Sequence, residues 1–301
     1  MGQETQYGLA GVAVGDSGST LASRRLAAYL RDARQAVKLT IAQAAIEADI
    51  STSVLQRLET AEKTRLKARD LDALCRVYEM PDDQIKAMIG LLLKAGEKSW
   101  WHAYGDVIPA NFDVYIGLEA EAFRMAVYQP SIVPGLLQIP EYALTLIENT
   151  FPEWPGDERQ RLLALRMERQ VRITRRHRPL DLLVILNEAV LRCRVGDDAV
   201  MAAQLRHLAE VGKRPNVSVC VLPFAAGIPM GSPIGHYAML EFEDPASPPA
   251  IHLESLTGSM YLEKPGEVAQ YVDVTRRLQR HTLGEDASRS LLRKMVKEFE
   301  Q

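Results

Sequence analysis

Apolar positions follow two rhythms along this chain. Between residues 21 and 96 they recur at helical spacing, and beyond residue 123 short apolar runs of strand length alternate with further helical stretches. Leu26, Leu30 and Ala33 make the inner stripe of a predicted helix over 21–37. Residues 39–60, LTIAQAAIEADISTSVLQRLET, hold two short helical patterns separated by a break at Asp49-Ile50-Ser51. Thr40 stands where an N-cap belongs, and Gln43 three residues on completes a capping box. Ala44, Ala45 and Ala48 keep this helix thin enough for another to cross it closely. Ser51 is the N-cap of the next helix. That helix turns Val54, Leu55 and Leu58 inward and leaves Thr52, Ser53, Gln56 and Arg57 outward. Leu71, Leu74 and Tyr78 line a fourth helix. Pro81-Asp82-Asp83 opens a fifth, with acidic residues in its first turn as the helix dipole favours, and Gly96 ends it.

The second half reads as mixed. Phe123, Met125 and Val127 alternate with Arg124, Ala126 and Tyr128, which predicts a strand running to Pro130. Residues 133–137 form a bend with an apolar anchor, and Pro140 opens a helix through Ile147. Asp157 is the expected cap of a long helix to about His177 that carries about seven arginines. A second nucleic-acid surface and a solvated or ion-paired face are both open readings of it. LLVIL (182–186) and VSVCVL (217–222) read as buried strands, with a helix from Asp197-Asp198 through Val211 between them. This strand–helix–strand rhythm implies a partly parallel unit. Residues 236–242, 251–253 and 260–262 are expected as antiparallel additions, and helices over 265–281 and 287–299 close the chain. The predicted fold class is α + α/β: a five-helix domain over 21–97, then a mixed α/β domain over 98–301. The Gly-rich polar segment 1–20 is expected to be a flexible tail.

Charge changes the picture. The net charge of −3 excludes a generic nucleic-acid glue, but residues 20–70 hold about ten Lys/Arg against about six Asp/Glu. A basic head therefore sits on an acidic body, as expected for a specific DNA binder whose body does something else. Hydrophobic residues make up 47% of 301 positions, enough for a core in each domain. Cys75, Cys193 and Cys220 are odd in number, widely spaced and in apolar contexts. They read as buried free thiols of a reducing compartment. With no long apolar span and no basic-then-apolar start, neither a membrane segment nor a signal peptide is expected, and a cytoplasmic location follows.

Catalytic signatures are absent from the sequence. No two of the six His stand at i, i+3 or i, i+4, so no helical metal pair arises. There is no phosphate-binding lysine loop, no G-x-G-x-x-G and no G-x-S-x-G. No enzyme activity, cofactor or metal is expected. Trp100, Trp101 and Tyr104 form an aromatic junction, read either as a stacking site or as a plug that packs the linker. Glu188 and Glu254 follow predicted strands. Together with Trp100 and Trp101 they are the candidate lining of a ligand or partner pocket.

The segment from about Arg24 to Gly96 resembles the helix-turn-helix of Xre-type repressors. Leu39-Thr40 matches the family's entry to its first motif helix, Ile50-Ser51 its turn and cap, and Leu55, Arg57, Leu58 and Glu59 its Ile-x-Arg-Ile-Glu. The resemblance implies that Arg34 and Glu59 form a structural ion pair. Three positions depart from the family: Ile41 stands for a phosphate-bonding Gln, and Asp49 and Ala61 for glycines. The implied double-stranded DNA contacts are Thr40, Gln43, Ser51, Thr52, Ser53, Gln56 and Arg57, with Lys63 and Arg65 on a loop over 61–67 beside the backbone. The plain alternative is a helical hairpin with a solvated polar face.

A second resemblance covers residue 100 to the end. It rests on WW-x-x-Y (100–104), YIGLEAEA (115–122), VPGLLQ (133–138), EYA (141–143), R-x-x-RQ (166–170), NEAVLR-x-x-VG (187–196), VMAAQL (200–205) and NVSVCVLPF (216–224). In this order they are similar to the antitoxin-like domain of unknown function carried by Xre-type regulators of actinobacteria. The expectation is a sequence-specific transcriptional regulator, acting as a homodimer. Its C-terminal domain would dimerise or recognise a signal or partner protein. The alternative is an antitoxin-like interaction protein that neutralises a small partner protein from a neighbouring gene and autoregulates its operon.

Overall fold

The computed structural model describes residues 12–14, 20–62, 64–96, 99–109, 112–244, 247–255 and 258–301. The chain divides into two compact units between Ala103 and Tyr104. The expected boundary at residue 97 therefore moves. A 3-10 turn over Trp100–Tyr104 follows the fifth helix, and Trp100 and Trp101 fall in the N-terminal unit.

The N-terminal unit contains β1 (Val12–Val14), α1 (Thr20–Ala36), α2 (Ile41–Glu47), α3 (Thr52–Glu59), β2 (Thr64–Leu66), α4 (Ala68–Val77) and α5 (Asp82–Ala95). The five helices enclose Leu26, Leu30, Leu55, Leu58, Leu71, Leu74 and Leu92, all fully buried. Two expectations change here. Residues 12–14 of the predicted tail are a strand, and the predicted loop after α3 contains another. The two pair antiparallel, Val12 with Leu66 and Val14 with Thr64. Thr64 and Leu66 point inward and Arg65 outward, the period-two alternation of a half-buried strand.

The first four helices of this unit end alike. Lys38, Asp49, Ala61 and Glu79 follow α1, α2, α3 and α4 with φ of +59°, +53°, +55° and +57°. The next amide in each case reaches back five residues: Leu39 N–H to Arg34 O, Ile50 to Ala45, Glu62 to Arg57 and Met80 to Cys75. This is the Schellman closure, with the left-handed residue at its usual C′ place. Leu39, Ile50 and Met80 then pack onto the core, which fixes where the chain leaves each helix. None of the four positions is glycine, so each bears a Cβ in a conformation that disfavours it.

The C-terminal unit is built on a six-stranded sheet in the order β5-β4-β3-β6-β7-β8. Its elements are α6 (Phe112–Glu121), β3 (Arg124–Gln129), α7 (Pro140–Thr150), α8 (Gly156–Arg169), α9 (Val171–Thr174), β4 (Asp181–Asn187), α10 (Asp198–Val211), β5 (Val217–Leu222), β6 (Tyr237–Glu241), β7 (Ala250–Ser255), β8 (Gly258–Leu262), α11 (Pro265–His281) and α12 (Glu285–Phe299). The strands β3, β4 and β5 are mutually parallel, and β6, β7 and β8 add antiparallel. The fold class is thus α + α/β, as the apolar rhythm predicts. One sheet face carries Ala126, Tyr128, Ile185, Tyr237, Met239 and Ile251 against Val268 and Leu278 of α11.

The predicted long helix 157–177 is broken. Gln170 bonds only three residues back through its amide, and its side chain turns to the carbonyls of Gly135 and Gln138. Helical structure ends at Thr174, and Arg178 adopts φ +51° just before Pro179. Of its seven arginines, Arg161 and Arg169 form ion pairs with Asp106 and Glu119, Arg166 donates to Gln138, and Arg172 donates to the Ala122 carbonyl. The ion-paired reading therefore holds for Arg161 and Arg169. Asp157 lies in the first turn, while Pro155 holds the N-cap position. Of the three free thiols, Cys75 is buried, Cys220 is half-buried and Cys193 is exposed, so burial holds for only one fully. Burial pushes the Cys75 thiol up to about 12, which keeps it protonated and inert.

The most buried charges of the C-terminal unit belong to Arg169 and Glu119. Two hydrogen bonds of 2.7 Å join them, and both side chains are almost wholly shielded. Burial alone would pull the Arg169 pKa down. The Glu119 charge and hydrogen bonds outweigh it, and the guanidinium stays charged.

Two stability predictions follow from these features. Glu119→Gln removes the counter-charge of a buried cation and should destabilise the C-terminal unit by about 3 kcal/mol, read as a lowered midpoint in denaturant. Ala61→Gly relieves the left-handed Cβ and should stabilise the N-terminal unit by about 0.5–1 kcal/mol, after allowance for glycine's extra unfolded-state entropy. A drop in its melting temperature would contradict the closure described.

Candidate nucleic-acid interface

The capping box at the start of α2 forms as the spacing requires. Gln43 N–H donates to Thr40 Oγ1 at 3.2 Å, and Thr40 N–H donates to Gln43 Oε1 at 3.0 Å. Ala44 and Ala45 are buried, so α2 lies close against its neighbours. The chain then turns through Ala48 and the left-handed Asp49. Ser51 Oγ accepts from Val54 N–H at 3.2 Å and caps α3.

On α3, Leu55, Leu58 and Glu59 are buried, while Thr52, Ser53, Gln56 and Arg57 are exposed together with Ser51. The outward set is therefore one continuous polar face at the N-terminal part of a short helix. Its side chains are short, apart from Gln56 and Arg57. Arg57 Nε donates to the Ser53 carbonyl at 3.2 Å, so the guanidinium lies back along the helix. Contact with a base edge requires it to swing out, at the cost of one exposed hydrogen bond.

Behind this face stands the pair implied by the resemblance. Arg34 of α1 donates to Glu59 through Nε (2.7 Å) and Nη2 (2.8 Å), and through Nη1 to the Leu39 carbonyl (2.7 Å). Glu59 is almost fully buried and Arg34 nearly so. The hydrogen bond to Glu59 raises the Arg34 pKa despite burial. One guanidinium thereby joins α1, α3 and the α1–α2 connection, and it sets the angle at which α3 presents its outward face. Arg65 is exposed on β2, directly after α3. Lys63 lies outside the described residues.

Of the four candidate pocket residues, two fall in each unit. Trp100 and Trp101 pack edge-to-face, ring centroids 5.7 Å apart, in the N-terminal unit. Glu188 follows β4 and is committed to structure: it accepts from Arg192 and from the Phe224 N–H at 2.9 Å. These bonds hold its carboxyl below the usual range despite the opposing effect of partial burial. Glu254 lies on β7, separated from β4 by two intervening strands of the sheet, with His236 Nε2 at 3.7 Å. Among the described residues, no group of three His, Cys, Asp or Glu is placed to hold a metal ion, and no helix is long and apolar enough to cross a membrane.

The residues missed by sequence reasoning are Glu119 and Arg169. The available signal was Glu119 itself, a carboxylate with apolar residues on either side in YIGLEAEA, where Glu121 follows two positions on. Such a residue on a buried helix face requires a cation, and R-x-x-RQ supplies it.

Two capped helices, a tight turn between them and a polar face on the second define a helix-turn-helix unit. Residues 25–88 match the family model described as a helix-turn-helix domain, and residues 112–294 match that described as a domain of unknown function (DUF5753). The latter spans more than half of the chain, and the protein belongs to the DUF5753 family. No curated protein and no solved structure matches the chain.

Glu59→Ala would leave Arg34 charged and nearly buried without its counter-ion. The N-terminal unit should lose about 3 kcal/mol, measured by denaturant unfolding. An unchanged midpoint would mean that the pair does not hold α3.

Proposed function

We propose that the protein is a sequence-specific DNA-binding transcriptional regulator of the Xre type. One observation carries this reading: α3 presents Thr52, Ser53, Gln56 and Arg57 on a single exposed face while Leu55, Leu58 and Glu59 anchor its other side. A helix so anchored fits the major groove, where Arg57 can donate two hydrogen bonds to guanine and Gln56 can pair with adenine. Thr40, Gln43 and Ser51, exposed at two helix N-termini, and Arg65 on β2 are suited to phosphate contact, which fixes register. A single head of this size makes few contacts. The protein therefore acts as a homodimer on two half-sites, with the C-terminal unit providing dimerisation and signal or partner recognition.

Selection of bound DNA by the full-length protein at near-physiological salt should recover an inverted repeat. Arg57→Ala should cost about 1–3 kcal/mol on the selected site and relax preference at one base pair. Arg65→Ala should instead weaken binding on all sequences and reduce the slope of log K against log salt by about one per head. Equal losses on specific and random DNA for Arg57→Ala would remove the base-reading role.

A further inference from the structure

The sheet face opposite α11 is apolar over most of its width and turns polar at one end. Ala238 pairs with His252, and His252 with Tyr261. Glu254 pairs with Ser259 two residues on, and His236 lies beside Glu254. Strand residues two apart share a face, so His252, Tyr261, Glu254 and Ser259 project together. Aromatic rings extend this group without a break. The His252 ring lies 4.4 Å from Tyr115 of α6 and 5.1 Å from Tyr261, and Tyr115 stacks on Phe112 at 5.5 Å. Arg169 covers the Phe112 and Tyr115 rings at 5.1 and 5.4 Å.

Two groups in this cluster are left incomplete by the protein. His252 is 2% exposed, and its Nε2 has no hydrogen-bond partner among the described residues. Burial, reinforced by His236 and Arg169, holds its pKa down at about 4, so the ring is neutral at pH 7. Arg166, three residues before Arg169 on α8, forms no ion pair among the described residues; its contact is Nη1 to the neutral Gln138 Oε1 at 2.9 Å. Burial lowers its pKa to about 10, the reverse of the paired Arg169 beside it. Of the two nearby carboxylates, Glu119 is spent on Arg169. Glu254 is more than half exposed, and water screens it. A half-buried guanidinium without a carboxylate partner calls for a planar anion, and a row of rings calls for a flat apolar body.

We propose that this end of the sheet binds a small aromatic carboxylate, with its carboxylate on Arg166 and its ring along the Tyr115–His252–Tyr261 row. It would be the signal site of the C-terminal unit and so deepens the regulator reading, yet its binding can be measured without DNA.

Benzoate, the smallest probe of this class, should bind the full-length protein saturably in ligand-observed NMR and calorimetry, one site per chain. Benzamide, which keeps the ring and lacks the charge, should bind at least about tenfold more weakly. Arg166→Gln should abolish benzoate binding without lowering the melting temperature of the free protein, because it removes a half-buried charge that has no carboxylate partner. His252→Phe keeps a ring and removes Nε2. It should weaken benzoate by several-fold. No saturable benzoate binding, or equal binding by benzoate and benzamide, would overturn the proposal. So would benzoate binding unchanged in both variants, which would leave water as the partner of Nε2. Loss of DNA binding in a separate assay would bear on the head alone.

Discussion

A guanidinium taken out of water must keep a counter-charge beside it, and each unit of this protein is arranged about one such pair. In the N-terminal unit Arg34 holds Glu59, 25 residues away, and in the C-terminal unit Arg169 holds Glu119, 50 residues away. Against an apolar replacement of the same shape, a buried pair contributes little net stability. Its consequence is geometric. Any packing that separates the partners strands a charge in low dielectric, so competing arrangements of the same helices are raised in energy. For α3 this matters directly, since the helix has only eight residues and two fully buried leucines. Hydrophobic burial alone is tolerant of rotation about its axis. The two-pronged Arg34 contact is not, and it leaves the outward residues facing one way.

The same reasoning accounts for the polar residues of the C-terminal unit. Gln138, Gln170, Gln204 and Asn216 each donate a side-chain amide to carbonyls of the chain: Val133 for Gln138, Gly135 and Gln138 for Gln170, Leu137 for Gln204, and Ile173 and Leu180 for Asn216. Gln204 also accepts from Ile139 N–H at 2.8 Å. The segment 133–139 has no strand or helix long enough to satisfy its own backbone, and it lies partly buried. Side chains from α8, α10 and its own end supply the missing partners, as a buried irregular segment demands. The blocks VPGLLQ, R-x-x-RQ and VMAAQL therefore encode one backbone-bonding network about residues 133–139 more than they encode chemistry, and Asn216 of NVSVCVLPF serves the segment 173–180 in the same way.

Much of this was legible in the sequence, and the failures share a cause. N-caps were visible because Thr40, Ser51 and Asp197 carry the hydroxyl or carboxylate that makes the bond. Of the C-caps, Gly96 was visible and Asp49 and Ala61 were marked as replacements of family glycines, but Lys38 and Glu79 were not, because they occupy left-handed positions where glycine is the usual marker. The signal lay one residue later, in the apolar Leu39, Ile50 and Met80. The strands of the C-terminal unit were readable from their runs, including the parallel relation of β4 and β5 across α10. The pairing of Val12–Val14 with Thr64–Leu66 was hidden, since three residues on either side are too few to show a period and the two stretches lie fifty residues apart. The outward face of α3 followed from helical spacing alone. The Arg169–Glu119 pair did not, because spacing within one helix says nothing of which distant helix faces it. Grouping Glu188 with Glu254 failed for a related reason: both follow apolar runs, but order in the sheet is not order in the chain.

That sheet order explains why polar chemistry gathers where it does. Strands β4 and β3 are interior and parallel, reached by helical crossovers, and both of their faces carry apolar side chains. Strands β6, β7 and β8 form an antiparallel meander, in which alternate residues can differ in character. Ile251 and Leu253 of β7 therefore belong to the core beside α11, while His252 and Glu254 between and after them face the other way. A polar group on β3 or β4 would be enclosed on all sides and would need a partner within the protein. At the meander the same group lies near an edge, where Glu254 reaches solvent and His252 does not. The sheet thus passes from a region closed on both faces to one where polar side chains approach solvent, and this is the end at which the proposed ligand would meet it.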